Sequence, residues 1–293
     1  MHLAEIPYPR IDPDLISIGP ITVRWYGVSY VVAFALAWWV LTGLAKRKRW
    51  PVEPDRVADV LFWGILGVFV GARVGWIFFY GMQQPDWHWG NAYKVWEGGM
   101  SFHGGLLGVI TAYLIYCWRM HKPLGAFFDG LALAAPLGIF CVRMGNFINA
   151  ELFGRPWDGP WAMRFPLYES RHWDGPAGWE AAKEAGTPYP LYTEPRHPSQ
   201  LYEGLGEGLL LFFFLRWLML KKGVGGGRIA GVFLMGYGTV RFFIEYAREP
   251  DSHLRGVTGL FTRGQQLCLG MILAGLTILI LCAVKKARSK AAA

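Results

Sequence analysis

The sequence is poor in charge. Only 17% of its 293 residues are Asp, Glu, Lys or Arg, while 53% are hydrophobic, a balance that leans away from ordinary soluble domains. Cysteine is scarce too: Cys117, Cys141, Cys268 and Cys282 form no CxxC pair and no metal-like spacing, and they read as inert packing residues. No segment repeats at a fixed period, and no nucleic-acid module stands behind the net charge of +8. The opening MHLAEIPYPRIDPDL has no basic n-region, no apolar h-region and no cleavage site, so a removed signal peptide is not expected.

What the chain has in quantity is long apolar runs, several of which reach the ~20 residues that a helix needs to cross a ~30 Å hydrocarbon core. Seven spans are expected, at about 23–44, 57–80, 102–118, 127–142, 201–220, 228–246 and 266–284, giving an all-α integral membrane protein. Basic clusters follow the first, third, fifth and seventh spans: Lys46 to Arg49, Arg119 with Lys122, Lys221 with Lys222, and Lys285, Lys286, Arg288 and Lys290. All fall on one side, which the positive-inside rule makes cytoplasmic. The carboxyl terminus is then cytoplasmic, and the amino terminus and the even-numbered loops face outward.

The expected organisation is one membrane-embedded domain over residues 1–293, with 146–199 as a small outward-facing head rich in Trp, Pro and Gly and a short helix at 179–185. A second outer loop, 81–100, carries Trp87, Trp89 and Trp96, which suit a membrane-water interface. Gly67, Gly71 and Gly75 recur at four-residue intervals, and Gly104, Gly105 and Gly108 open the third span. Small residues in this pattern let helices approach closely in lipid, and compact packing accounts for them.

Ionisable groups inside a span cost ~2.5–3.5 kcal/mol each on insertion scales, so they face a cavity or a partner. Four places bear that cost: Arg73, Arg143 with Glu151, Glu203 with Glu207, and Arg241 with Glu245. Tyr237, Arg241 and Glu245 stand at i, i+4 and i+8 on one helix face. An internal Arg241–Glu245 salt bridge explains that pair as well as a function does. Arg143 and Asn146 lie three apart at the outward end of the fourth span, with Asn149 and Glu151 just beyond, at the depth of Arg241. Two guanidinium forks at one depth form a cradle suited to phosphate, and in a bilayer the nearest phosphate is a phospholipid's. His103 opens the third span at the same depth, and its ordinary pKa of ~6.5 suits a proton acceptor. Tyr26 reads either as an interface anchor or as a pocket donor.

In this order, WYG at Trp25, GVFVGARVG at Gly67, GGMSFHGGLLG at Gly98, RMGNFINAELFGRP at Arg143, RHPSQLYE at Arg196 and GYGTVRFFIEYAREPD at Gly236 resemble the bacterial prolipoprotein diacylglyceryl transferases over nearly the whole chain. One departure is Val142, where the family usually has glycine. The resemblance implies a seven-span inner-membrane enzyme without metal or cofactor. It would move the diacylglyceryl group of phosphatidylglycerol to the lipobox cysteine of an exported prolipoprotein, forming a thioether and glycerol phosphate. It maps the phospholipid-binding arginine onto Arg143, the second essential arginine onto Arg241 and the essential histidine onto His103. Asn146, Asn149, Glu151, Gly154, Tyr237 and Glu245 also fall on motif positions, and Glu151 and Glu245 are expected to orient the arginines and to stop them from holding the product too tightly. The proton acceptor for the thiol stays open between His103, a tyrosine and direct stabilisation of a thiolate by an arginine. A different class, an anion or lipid transporter with an arginine-lined site, would predict internal pseudo-symmetry or matched broken helices, and the sequence shows neither.

Overall fold

A computed structural model describes residues 6–9, 11–19, 21–84, 87–166, 192–249 and 261–291; the expected helix at 179–185 lies outside them. Helices overlie each of the seven apolar segments: α1 Trp25–Lys46, α2 Val57–Phe79, α3 Phe102–Arg119, α4 Leu124–Ile148, a composite α5 running from Ser199 to Leu220, α6 Arg228–Ile244 and α7 Arg263–Ala291. Four stretches of the described chain are long and apolar enough to cross a membrane: Trp25–Lys46, Pro54–Gln83, Leu124–Ile148 and Arg263–Ser289. One element was not expected. Strands β1 (Asp14–Ile18) and β2 (Ile21–Arg24) pair antiparallel ahead of α1, so Val23 and Arg24 belong to a hairpin rather than to the first span. The side chains of β1 are mostly exposed, so the strand lacks the buried alternate face by which a strand is recognised in sequence.

The chain divides into two compact units, residues 38–130 and residues 1–37 with 131–293. In the first, α2 and α3 meet backbone to backbone. A Cβ on Gly71 would lie 2.4 Å from the Gly104 carbonyl oxygen, and one on Gly108 would lie 2.1 Å from that of Gly67, so the small-residue pattern is a packing seam. Arg73 of α2 is nearly sealed, and it donates from Nε to Ala92 O at 2.8 Å, from Nη1 to Gly98 O at 2.8 Å and Gly99 O at 3.0 Å, and from Nη2 to Asn91 O. Its guanidinium also sits over the Trp76 ring, 4.6 Å from the centroid. Gly98 and Gly99 take φ of 85° and 82°, the left-handed region that glycine enters without strain, and this turns their carbonyls to Arg73.

In the second unit the head begins where α4 stops. Tyr8, Phe147, Ala150, Met163 and Phe165 form a buried cluster, and the Tyr8 hydroxyl reaches the carbonyls of Phe147 (2.7 Å) and Ile148 (2.9 Å) in the last turn of α4. Isolated bridges pair Gly154 with Arg248, and Pro156 and Met163 with Arg196.

Helix α5 solves a spacing problem. Its sealed residues Glu203, Glu207, Leu211, Leu215 and Met219 recur every four positions. Four residues advance a regular α-helix about 40° past a full turn, so over four such steps Glu203 and Met219 would point nearly opposite ways. The chain instead runs as an α-helical Ser199–Glu203, a π-helical Gly204–Leu210 and an α-helical Leu211–Leu220. The wider turn, with i→i+5 bonding, takes up the excess rotation and keeps the row facing inward.

Candidate functional site

The site grows from the end of α4. The helix runs to Ile148, six residues past the expected end of the fourth span, so Arg143 and Asn146 are both helical. Ala150 and Leu152 then adopt φ of 49° and 55°, which for residues with a Cβ is a strained conformation. This hook brings Glu151 back over the helix: its backbone N–H donates to Asn146 O at 3.0 Å, and its Oε1 accepts from Asn146 Nδ2 at 2.9 Å and more weakly from Asn149 Nδ2 at 3.5 Å. Gln200 of α5 donates to the Glu151 carbonyl at 2.7 Å, tying the hook to that helix. Tyr26 packs against Gly145, and its hydroxyl lies against Asn146 and 3.2 Å from that of Tyr30.

Arg143 meets a carboxylate from α5. Gly204 and Gly208 let that helix close on α4, since a Cβ there would lie 3.1 Å from Met144 Cε and 2.7 Å from Phe140 Cβ. Glu203 and Glu207 are thereby carried in with no exposed surface. Glu203 Oε2 receives Arg143 Nη2 at 2.7 Å, Arg248 Nη1 at 3.4 Å and Arg241 Nη1 at 3.6 Å. Three guanidiniums thus converge on one oxygen atom. Arg241 also meets Glu245 Oε2 at 3.2 Å and, from Nε, Glu207 Oε1 at 3.9 Å. Tyr237 stands one turn before Arg241, near Glu207. Glu245 is fixed in turn by Thr262, whose hydroxyl donates to Oε1 at 3.1 Å.

The arginines keep 13–16% of their side-chain surface exposed, whereas Glu203 and Glu207 keep none. The carboxylates therefore form the floor and the guanidiniums the accessible surface. Several buried polar atoms here have no hydrogen-bond partner, among them Asn146 Oδ1, Asn149 Oδ1, Glu203 Oε1, both Glu207 oxygens, Arg241 Nη1 and Glu245 Oε2. Unpartnered polar atoms are uncommon in protein interiors, and so many in one place mark a site built for more than packing.

The structure therefore brings Arg143, Arg241, Tyr237 and Glu245 into one nest, and Tyr26, Asn146, Asn149 and Glu151 into an adjoining cluster at the end of α4. Glu245 holds Arg241 as expected, but the side chain of Glu151 engages the asparagines, and the carboxylate on Arg143 is Glu203. Gly154 stands in the head's backbone crossing, where a Cβ would lie 2.3 Å from Ala247 O and 2.7 Å from His197 Cβ; absence of a side chain is what that crossing requires. His103 belongs to the other compact unit, exposed in the first turn of α3, with its ring 5.6 Å from that of Phe102. Sequence reading marked Glu203 and Glu207 as charges in a span without giving them a partner, and it passed over Arg248. The signal was available for the glutamates, since an uncompensated acid in an apolar run calls for a cation. Arg248 is held by the head: Arg155 Nε donates to its carbonyl at 2.7 Å, and its neighbour Glu249 is gripped by Arg196.

Beside the nest lies an aromatic ledge. His197 stacks on Trp157, with ring centroids 4.3 Å apart, and meets the Tyr202 hydroxyl at 3.2 Å, which Trp161 Nε1 also reaches at 2.7 Å. Burial pushes the His197 imidazole below the usual histidine range.

Residues 13–281 match the family model described as prolipoprotein diacylglyceryl transferase. The chain is 43% identical over 291 residues to the phosphatidylglycerol–prolipoprotein diacylglyceryl transferase of Pseudoalteromonas translucida (strain TAC 125), covering 98% of each. It is 43% identical over 287 residues to that of Vibrio parahaemolyticus serotype O3:K6 (strain RIMD 2210633), covering 96% of this chain and 94% of the relative. With that of Rhodospirillum centenum (strain ATCC 51521 / SW) it shares 41% over 294 residues, 99% of each.

Proposed function

The chain belongs to the prolipoprotein diacylglyceryl transferase family and transfers a diacylglyceryl group from phosphatidylglycerol to prolipoprotein, and we propose that it does so with Arg143 and Arg241 on the donor's phosphate. The observation that supports this role is the convergence of both guanidiniums on one buried carboxylate oxygen: donors arranged around one oxyanion suit another. In the reaction the sulfur of the lipobox cysteine bonds to the glyceryl carbon and the bond from that carbon to the phosphate oxygen breaks. The electron pair leaves with the oxygen, giving glycerol phosphate and a thioether. The thiol proton must go to a base, because a thiol of pKa ~8.5 is mostly protonated at neutral pH. His103 is the favoured base, with Tyr26 or Tyr237, or direct stabilisation of a thiolate by an arginine, as the alternatives.

Charge gathers on the departing phosphate, and Arg143 and Arg241 stabilise it where water is scarce. Asn146, Asn149, Glu151 and Tyr26 shape the donor site beside them, Glu245 and Tyr237 position Arg241, and Gly154 keeps the head's crossing close. The protein is a bacterial membrane protein, and the arrangement that fits its basic clusters is one inner-membrane domain of seven spans, with 146–199 as a periplasmic head that receives the exported acceptor.

The test is a transfer assay in proteoliposomes with phosphatidylglycerol and a lipobox peptide, following glycerol phosphate release alongside the gain in peptide mass. Arg143→Ala should lose about 10²- to 10³-fold in turnover, the usual consequence of removing one donor to developing charge, while remaining folded and inserted. His103→Gln should lose turnover at unchanged donor affinity. Near-normal turnover in Arg143→Ala would remove that residue from the phosphate site.

A further inference from the structure

The phosphate reading above, on which this inference rests, creates a difficulty after the bond breaks. The donor's phosphodiester carries one negative charge, whereas the released phosphate monoester carries between about −1.5 and −2 at pH 7. Arginines able to bind the substrate would hold the product more strongly and slow its release. The nest contains a group suited to oppose this. Glu203 has no exposed surface, its Oε2 is shared by Arg143, Arg241 and Arg248, and its Oε1 has no hydrogen-bond partner. Facing it are Arg143 from α4, Arg241 with Tyr237 and Glu245 from α6, Arg248 from the following segment, and Glu207 one turn on in α5. Three guanidiniums meet three carboxylates, and Glu203 is the one that touches all three arginines.

We infer that Glu203 is a positioning residue for product release: its carboxylate competes with the phosphate for the same three guanidiniums and draws them back from the departing glycerol phosphate. A merely structural ion pair would explain a contact with one arginine. It would not explain why the carboxylate is held by a single oxygen at the point where the guanidiniums converge, with the other oxygen unbonded.

The experiment compares wild type, Glu203→Gln and Glu203→Asp in proteoliposomes. It measures the inhibition constant of added glycerol phosphate against phosphatidylglycerol and the time course of the first turnovers. Glu203→Gln removes the charge at constant size, and its inhibition constant should fall on the order of tenfold, within the usual range for coupling between binding events. Its progress curve should show one rapid turnover per enzyme followed by a slow steady state, because chemistry persists and release becomes slow. Glu203→Asp draws the charge back by one methylene and should shift the inhibition constant in the same direction by a smaller factor; it decides the matter if the Gln variant does not fold. Unchanged inhibition in the folded Glu203 variants, with turnover still lost in Arg143→Ala, would overturn this inference alone. Normal turnover in Arg143→Ala would overturn the phosphate reading and this inference with it.

Discussion

Arg73 and the arginines of the nest are all largely buried, yet they are held in opposite ways. Arg73 gives its protons to four backbone carbonyls and rests on an indole ring, so each of its three nitrogens is engaged by the fold. Arg143 and Arg241 face carboxylates, with unpartnered oxygens and one unpartnered Arg241 nitrogen among them. A guanidinium satisfied by carbonyls is a staple for the loop around it. One balanced against side-chain charge can exchange partners, which binding and release both demand. Burial alone does not separate these two uses of arginine, but the identity of the acceptors does.

The comparison breaks most easily at its largest contrast. Arg241→Ala should reduce transfer by about 10²- to 10³-fold. Arg73→Ala should instead take a donor away from four carbonyls and destabilise the fold by about 3 kcal/mol or more, seen as a lowered Tm. An Arg73→Ala protein with unaltered Tm and lost turnover would merge the two classes.

Arg143→Lys sharpens the contrast within the nest, because an ammonium cannot reproduce a planar fork; recovery of less than about a tenth of wild-type turnover is expected in the same assay. A smaller effect belongs to Gly99→Ala. Its φ of 82° and the 2.7 Å approach of a Cβ to Arg73 Nη1 should destabilise by about 1–3 kcal/mol, without changing the apparent affinity for phosphatidylglycerol.

The smallest effect concerns His197. Its folded pKa lies below its unfolded one, so the neutral ring contributes stability that is fully present above about pH 6.5 and is lost as pH falls through the lower folded value. Lowering the pH from 7.5 to 5 should therefore depress the Tm of the wild type by a little more than that of His197→Gln. The difference should correspond to under about 1 kcal/mol for so accessible a group, and a larger fall in the variant would contradict the sign.

Much of this was legible in the sequence, for identifiable reasons. Apolar runs of membrane length announce helices because no other local structure hides twenty backbone amides, and α2 and α3 begin where their runs begin. The row Tyr237, Arg241, Glu245 was readable because i+4 spacing is local geometry, and the Arg241–Glu245 contact follows from it. The partner of Arg143 was not readable. Glu203 lies sixty residues away, and its arrival depends on Gly204 and Gly208 letting two helices close and on the wide turn that follows it. Glu151 was expected on an arginine because it is near one in sequence; the strained hook at Ala150 and Leu152 aims it at the asparagines instead. The hairpin before α1 escaped notice because its strands bury so little that no alternation is imposed on them.

The π-helical turn Gly204–Leu210 also makes α5 a segment with a fixed angular phase. Were the same residues wound at an ordinary pitch, everything downstream would turn by about 100° relative to Glu203. Leu215 and Met219 would then leave their apolar bed, or the two glutamates would leave the arginines. The helix is a two-ended key whose bits are cut at different angles, and the one extra step in its shaft lets both ends fit their locks at once.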